Sequence, residues 1–169
     1  MRTCIAILIG AAFLTVACSQ TQVVASLEAA IAAAEFALPI VAQQVNLDPA
    51  VKAQVLAYLR ASNTALTEVA AALSSGGSQA SIAARIVAAV SAVPAANLPA
   101  GTPQVIVAAI NTVAVALEGV LQQFMPYGSA RMMATVSAPL TLAASDKRAI
   151  GKAHTRLVEN AAALAKIGR

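Results

Sequence analysis

Residues 46–77 read NLDPAVKAQVLAYLRASNTALTEVAAALSSGG, and this stretch decides the fold class. Asp48 stands directly before Pro49. A short carboxylate there can accept from backbone N–H groups that have no partner in a first helical turn, and the proline ring presets φ for the first helical position. Val51, Val55, Leu56, Leu59, Leu66, Val69 and Leu73 then recur at the spacing of one helical face. Ser74-Ser75-Gly76-Gly77 closes the pattern with turn residues. The spacing predicts a helix from Pro49 to Ser74 whose start and stop are both written in its own residues.

Composition points the same way for the whole chain. Of 169 residues, 59% are hydrophobic, 11% charged and 3% aromatic, and 44 are alanine. Disorder requires low hydrophobicity and abundant charge, so that class is excluded. Alanine loses no side-chain entropy on entering a helix and is depleted in strands, so an all-α protein is expected.

Outward from the deciding stretch, a first helix is predicted from Val23 to Val45, with Leu27, Ile31, Ala34, Leu38, Val41 and Val45 on one face. Pro39 should kink it or end it near Leu38, because the ring clashes with the preceding turn. A third helix is predicted over Gln79 to Val93, burying Ile82, Ile86, Val90 and Val93. After the loop Pro94 to Gly101, Thr102-Pro103 repeats the cap-plus-proline arrangement and opens a fourth helix to Phe124. Its buried line is Ile106, Ile110, Val113, Leu117, Val120 and Phe124, with Asn111, Glu118 and Gln122 facing elsewhere. Ala25 to Pro39 aligns without gaps on Ala80 to Pro94, with 8 identities in 15 positions, and Asn46-Leu47 then faces Asn97-Leu98 one deletion later. The aligned prolines and Asn-Leu loops weigh more than the alanines. They describe a duplication in which neither kinked hairpin covers its apolar side alone. The expected architecture is therefore an antiparallel helical bundle of two duplicated kinked α-hairpins, over residues 23–125, plus a C-terminal basic amphipathic helix.

Residues 126–145 read as an irregular linker, with Pro126, Gly128 and Pro139 and room for a short helix near 130–136. A last helix over 146–169 starts at Ser145 or Asp146, runs to Ile167 and buries Ile150, Ala153, Leu157, Ala161 and Leu164. Charge concentrates here: from Arg131 onward seven Lys or Arg face only Asp146 and Glu159, whereas from Cys18 to Ala130 five acids face three bases. Arg148, Lys152 and Arg156 recur every four residues beside Lys147. Like charges at that spacing repel, and anionic lipid headgroups or the acidic side of the body could offset the repulsion. These four residues are the candidate contacts for an anionic surface. The other reading is a solvated face that keeps an apolar protein soluble.

No catalytic or metal site is expected. His154 is the only histidine and stands among Lys152, Thr155 and Arg156 on a solvated surface. Glu28 and Glu35 are seven residues apart on one helix, roughly 10 Å by helical rise, loosely an inverting glycosidase spacing. They lack an aromatic sugar platform, and the solvated-acid reading is preferred. Gly76-Gly77 and Gly128-Ser129 lack the spacing of phosphate loops and nucleophile elbows. Nothing interleaves basic and aromatic residues as nucleic-acid binding requires.

The N-terminus carries an address. Arg2 supplies a positive end, Cys4 to Leu14 an apolar stretch, and Thr15-Val16-Ala17 a small-residue approach to Cys18. Leu14-Thr15-Val16-Ala17-Cys18 resembles the lipobox of a bacterial lipoprotein signal peptide, with Thr15 where an aliphatic residue is usual. That resemblance implies cleavage of residues 1–17, a diacylglycerol on the Cys18 thiol, an N-acyl chain such as palmitate on the new amino terminus, and residues 18–22 as a short tether. It also implies export to the cell envelope. Ser19 weakly favours the outer membrane. An ordinary secretory cut after Ala17 and an N-terminal membrane helix are the competing readings. Cys4 would leave with the peptide, so Cys18 would be the one thiol of the mature chain, with no disulfide partner.

The function expected is a non-enzymatic envelope lipoprotein acting as a helical scaffold or binding module. Its partners would be the membrane, through the anchor, and anionic lipid or an envelope protein, with no nucleic acid. The alternatives are a membrane-active helical protein or a phage-encoded lipoprotein that modifies the host envelope. Against insertion, prolines and Asn111 interrupt the uncharged run from Ile86 to Leu117, and each helix's apolar part looks too short to span.

Overall fold

The computed structural model describes residues 3–44, 46–124 and 141–168, with side chains from residue 22 onward. The described chain is all-helical: α1 (Thr3–Gln43), α2 (Pro49–Ser74), α3 (Gln79–Ser91), α4 (Gln104–Gln122) and α5 (Ala144–Ile167). The short helix expected near 130–136 lies outside the described residues, as do Val45 and Arg169.

α2 has the bounds its sequence predicts. The Asp48 carboxylate accepts from the N–H of Ala50 at 2.8 Å and of Val51 at 3.3 Å, and Pro49 takes the first position, whose N–H would have been unpaired anyway. All seven predicted apolar positions are buried, from Val51 to Leu73. The helix closes on Ser75, and Gly76 turns the chain at φ +66, a backbone state that costs glycine nothing.

α2 is also the hub. It packs against each of the other four helices, with α5 lying against both α1 and α2, α4 against α1, and α3 against α2. α2 and α5 run antiparallel, because Arg60 reaches Leu164 while Asn63, further along α2, reaches Leu157, earlier on α5. The core is aliphatic, centred on Leu27, Ile31, Val55, Leu59, Leu66, Ile82, Ile106, Ile110 and Leu157. Alanines fill the closest approaches: Ala30, Ala37 and Ala72 are each 0% exposed.

Several expectations need correction. α1 neither begins at Val23 nor ends near Leu38: the helix is continuous from Thr3 and on past Pro39 to Gln43. From Ala11 to Leu38 no glycine or proline interrupts it. Pro39 forfeits one helical bond, from its own nitrogen to the Glu35 carbonyl, and its ring is exposed. Leu38 and Val41, both buried, hold the last turn on the core regardless. α3 stops at Ser91, leaving Val93 outside the helix but packed on the core, and α4 likewise stops before Phe124. Thr102 does not cap α4. Its hydroxyl donates to the Pro99 carbonyl at 2.7 Å, so Pro103 occupies the cap position with no side-chain bond.

α5 begins at Ala144, with Ala143 as its cap, so neither Ser145 nor Asp146 starts it; Asp146 sits in the first turn, where a carboxylate favours the helix dipole. Its buried line is Ile150, Ala153, Leu157, Asn160 and Leu164, and the expected Ala161 is exposed. The steps are three, four, three and four residues, a seam of average 3.5, and that geometry selects Asn160 over its apolar neighbour. α5 packs on both α1 and α2 and is thus part of the bundle.

Replacing Asp48 by Ala removes both cap bonds at the start of the hub helix. Asp48→Ala is expected to lower unfolding free energy by about 1 kcal/mol, read as a reduced urea midpoint at unchanged slope.

Candidate functional site

Of the four basic residues assigned to an anionic surface, the structure takes one for the fold. Arg156 reaches from α5 to Glu35 on α1, Nε to Oε1 at 2.7 Å and Nη2 to Oε2 at 2.5 Å, a two-point carboxylate clamp. The hydrogen bond to Glu35 holds the Arg156 guanidinium protonated above its already high range, against the small opposing effect of burial. Both side chains are about one-third exposed, 35% and 34%, so screening limits the pair to roughly 1 kcal/mol or less. The acidic side of the body is therefore the partner of Arg156. Lys147, Arg148 and Lys152 remain exposed, and none has a carboxylate within ion-pair distance among the described residues.

Glu35 is committed to that clamp, and Glu28 is exposed one heptad earlier, so the glycosidase spacing does not assemble a free carboxylate pair. His154 is exposed, as expected. Among the described residues no three His, Cys, Asp or Glu side chains gather where a metal ion could be held. The Cys18 side chain lies outside those described; its backbone is in α1.

The α2–α5 seam holds polar groups that periodicity alone does not reveal. Asn63 and Asn160 are 7% and 6% exposed. Asn63 Nδ2 donates to the Leu157 carbonyl at 3.2 Å, while its Oδ1 and the Asn160 Nδ2 have no partner. Nearby, the Arg60 guanidinium lies over Gly168 and donates to the Leu164 carbonyl at 3.5 Å, placing a cation at the negative end of α5. Gly168 leaves it room, since a β-carbon there would collide with Arg60.

Two helices are long and apolar enough to cross a membrane by length and composition, Gln22–Gln43 in α1 and Gln104–Gln122 in α4. Within the run from Ile86 to Leu117, α3 is too short to span, as expected, whereas α4 has the length. α1 and α4 pack on each other, and the membrane-length windows are 50% and 33% buried inside the bundle. Between them runs an open groove lined by Ala29, Ala33, Asn111, Thr112, Val115 and Ala116. Comparison with family models, curated proteins and solved structures returns no match.

An unpaired buried amide donor costs about 1–3 kcal/mol, and leucine is close to asparagine in size. Asn160→Leu should therefore raise stability by roughly 1 kcal/mol or more in urea titration; a loss would mean that the amide is satisfied. Burial pushes the Tyr58 phenol above its usual range, opposed by a hydrogen bond with Ser62 and helped by the charge of Glu118. The unfolded phenol ionises near pH ~10 while the folded one keeps its proton. Stability from this group is thus complete below pH ~10 and is lost as pH rises through the higher folded value. Alkaline urea titrations should show that decline, and Tyr58→Phe should lessen it.

Proposed function

We propose that this chain is a lipid-anchored protein of a bacterial cell envelope, non-enzymatic, whose helical bundle serves as a scaffold or binding module. The observation that carries the reading is the N-terminal order of Arg2, an apolar run from Cys4 to Leu14, and a small residue, Ala17, directly before Cys18. Cleavage before Cys18 would leave its thiol to carry diacylglycerol and its amine an acyl chain. Two or three chains anchor stably where one alone holds only marginally. Residues 1–17 would then be a discarded peptide, and the outer membrane is the preferred destination from Ser19.

Within the same reading the bundle arose by duplication of a hairpin. Leu27 and Ile31 are buried, as are their repeat partners Ile82 and Ile86, and Leu47 and Leu98 both pack on the core from their loops. The copies have diverged, since α1 continues past Pro39 whereas α3 ends before Pro94. Insertion of α1 and α4 into a bilayer is the second reading, favoured by their length and apolarity. It would strip the core of Ile106, Ile110 and Val113, so the anchored bundle is preferred.

Globomycin blocks the peptidase that processes lipoprotein precursors. Treated cells should accumulate a precursor retaining residues 1–17, and labelled palmitate should enter the wild-type protein but not Cys18→Ser. Unchanged processing together with no label would overturn the assignment.

A further inference from the structure

α5 is held less densely than α3 or α4. Its buried line has a large apolar side chain only at every second turn, Ile150, Leu157 and Leu164, and the turns between are filled by Ala153 and Asn160. α3, a little over half as long, buries Ile82, Ile86 and Val90 at consecutive turns, and α4 buries a large aliphatic side chain at every turn from Ile106 to Val120. Where α5 meets α2, Asn63 Oδ1 and Asn160 Nδ2 are buried without a partner, so each gains a hydrogen bond from water once the seam parts. The other polar ties are weak. The Arg156–Glu35 clamp is about one-third exposed and screened by salt, and Arg60 meets the Leu164 carbonyl at 3.5 Å, the outer limit of a hydrogen bond.

The remaining helices do not need α5 to stay together. Among the described residues it packs on α1 and α2 and not on α3 or α4, while α1 packs on α4, α2 on α3 and α1 on α2 independently of it. Its departure therefore leaves four helices with their mutual contacts intact. What it uncovers is apolar. Ile31 and Leu38 stand one turn either side of Glu35 on α1, and Leu59 and Leu66 one turn either side of Asn63 on α2; all four are buried. Elements with few buried apolar contacts open at lower free energy than the core they rest on.

We infer that α5 is a releasable strap: it leaves the bundle as one unit while α1–α4 stay folded, and so uncovers the apolar groove between α1 and α2 that it otherwise fills. The strap is a property of the bundle alone and stands whether or not Cys18 carries lipid.

Hydrogen exchange of the full chain, as isolated from the expressing cell, reads this directly when followed by mass spectrometry at several urea concentrations below the unfolding transition. Amides from Ala153 to Leu164 should converge on one opening equilibrium and exchange faster than the slowest amides of α2 by roughly tenfold or more. Their urea dependence should be shallower than that of α2 but not zero, because it scales with the surface exposed. Two variants separate the strap from global unfolding. Ile110→Val, in α4, should speed α2 exchange about two- to tenfold and leave α5 unchanged, since Ile110 stays buried when α5 opens. Asn160→Leu should slow both alike, by roughly fivefold or more, because the seam at that position parts in either event. Equal rates with equal urea dependence in α5 and α2 would overturn the strap, as would Ile110→Val speeding both. So would α5 exchange that ignores urea or is indifferent to Asn160→Leu.

Discussion

The burial of α2 against all four other helices is the constraint on which this bundle depends. Half of its residues, 13 of 26, are buried. A helix apolar around much of its circumference cannot be satisfied by a single neighbour, so it organises several. α1 and α5 cover one sector, α3 another, and α4 completes the enclosure by resting on α1 and touching α2 and α3. Each Ala contributes little apolar area, so stability comes from backbones brought close by small residues such as Ala30, Ala37 and Ala72.

That constraint explains which parts of the fold were legible in the sequence. α2 could be read to its termini because three local signals agree there: a side-chain cap with proline, a heptad-like apolar line broken only at Ser62 and Asn63, and glycine after the stop. Where local and tertiary terms disagree, the sequence misleads. Pro39 is a helix breaker by local chemistry, yet Leu38 and Val41 bind the next turn to the core and the helix continues. Thr102 had the composition of a cap, but its hydroxyl found the Pro99 carbonyl three residues back. Asn160 is buried in place of the more apolar Ala161 because the three-four alternation of the seam, not hydrophobicity, sets which residue faces inward.

The candidate site was legible in identity but not in partnership. The basic repeat of α5 is plain in sequence, and so is the acidic surplus of the body. No spacing rule reveals that Glu35 and Arg156, 121 residues apart, meet in a two-point contact. The consequence is a difference along one helix face: Arg156 is used to dock α5, while Lys152 and Arg148 stay exposed with no carboxylate in ion-pair distance among the described residues.

The polar contacts of α5 also answer a problem that alanine creates. Two faces lined by small, similar side chains can slide by a turn with little loss of packing, since Ala meets Ala before and after. Larger apolar residues oppose such a slip through shape, but α5 has only Ile150, Leu157 and Leu164 as large buried anchors, spaced evenly by seven. That spacing opposes a slip of one turn but repeats after two, so it leaves a seven-residue slip open. Helix carbonyls recur at every turn, so the contacts of Asn63 and Arg60 with the Leu157 and Leu164 carbonyls do not select one alignment, whereas Arg156 with Glu35 joins two side chains that meet in only one. A slip of seven residues would keep the large anchors in register but separate the clamp, a part-exposed pair that contributes roughly 1 kcal/mol or less. The orphaned Asn160 amide is consistent with this role for polarity, since a buried polar side chain weakens a seam while restricting how it can close. The clamp in turn leaves Lys152 and Arg148, one and two turns before Arg156, exposed on α5.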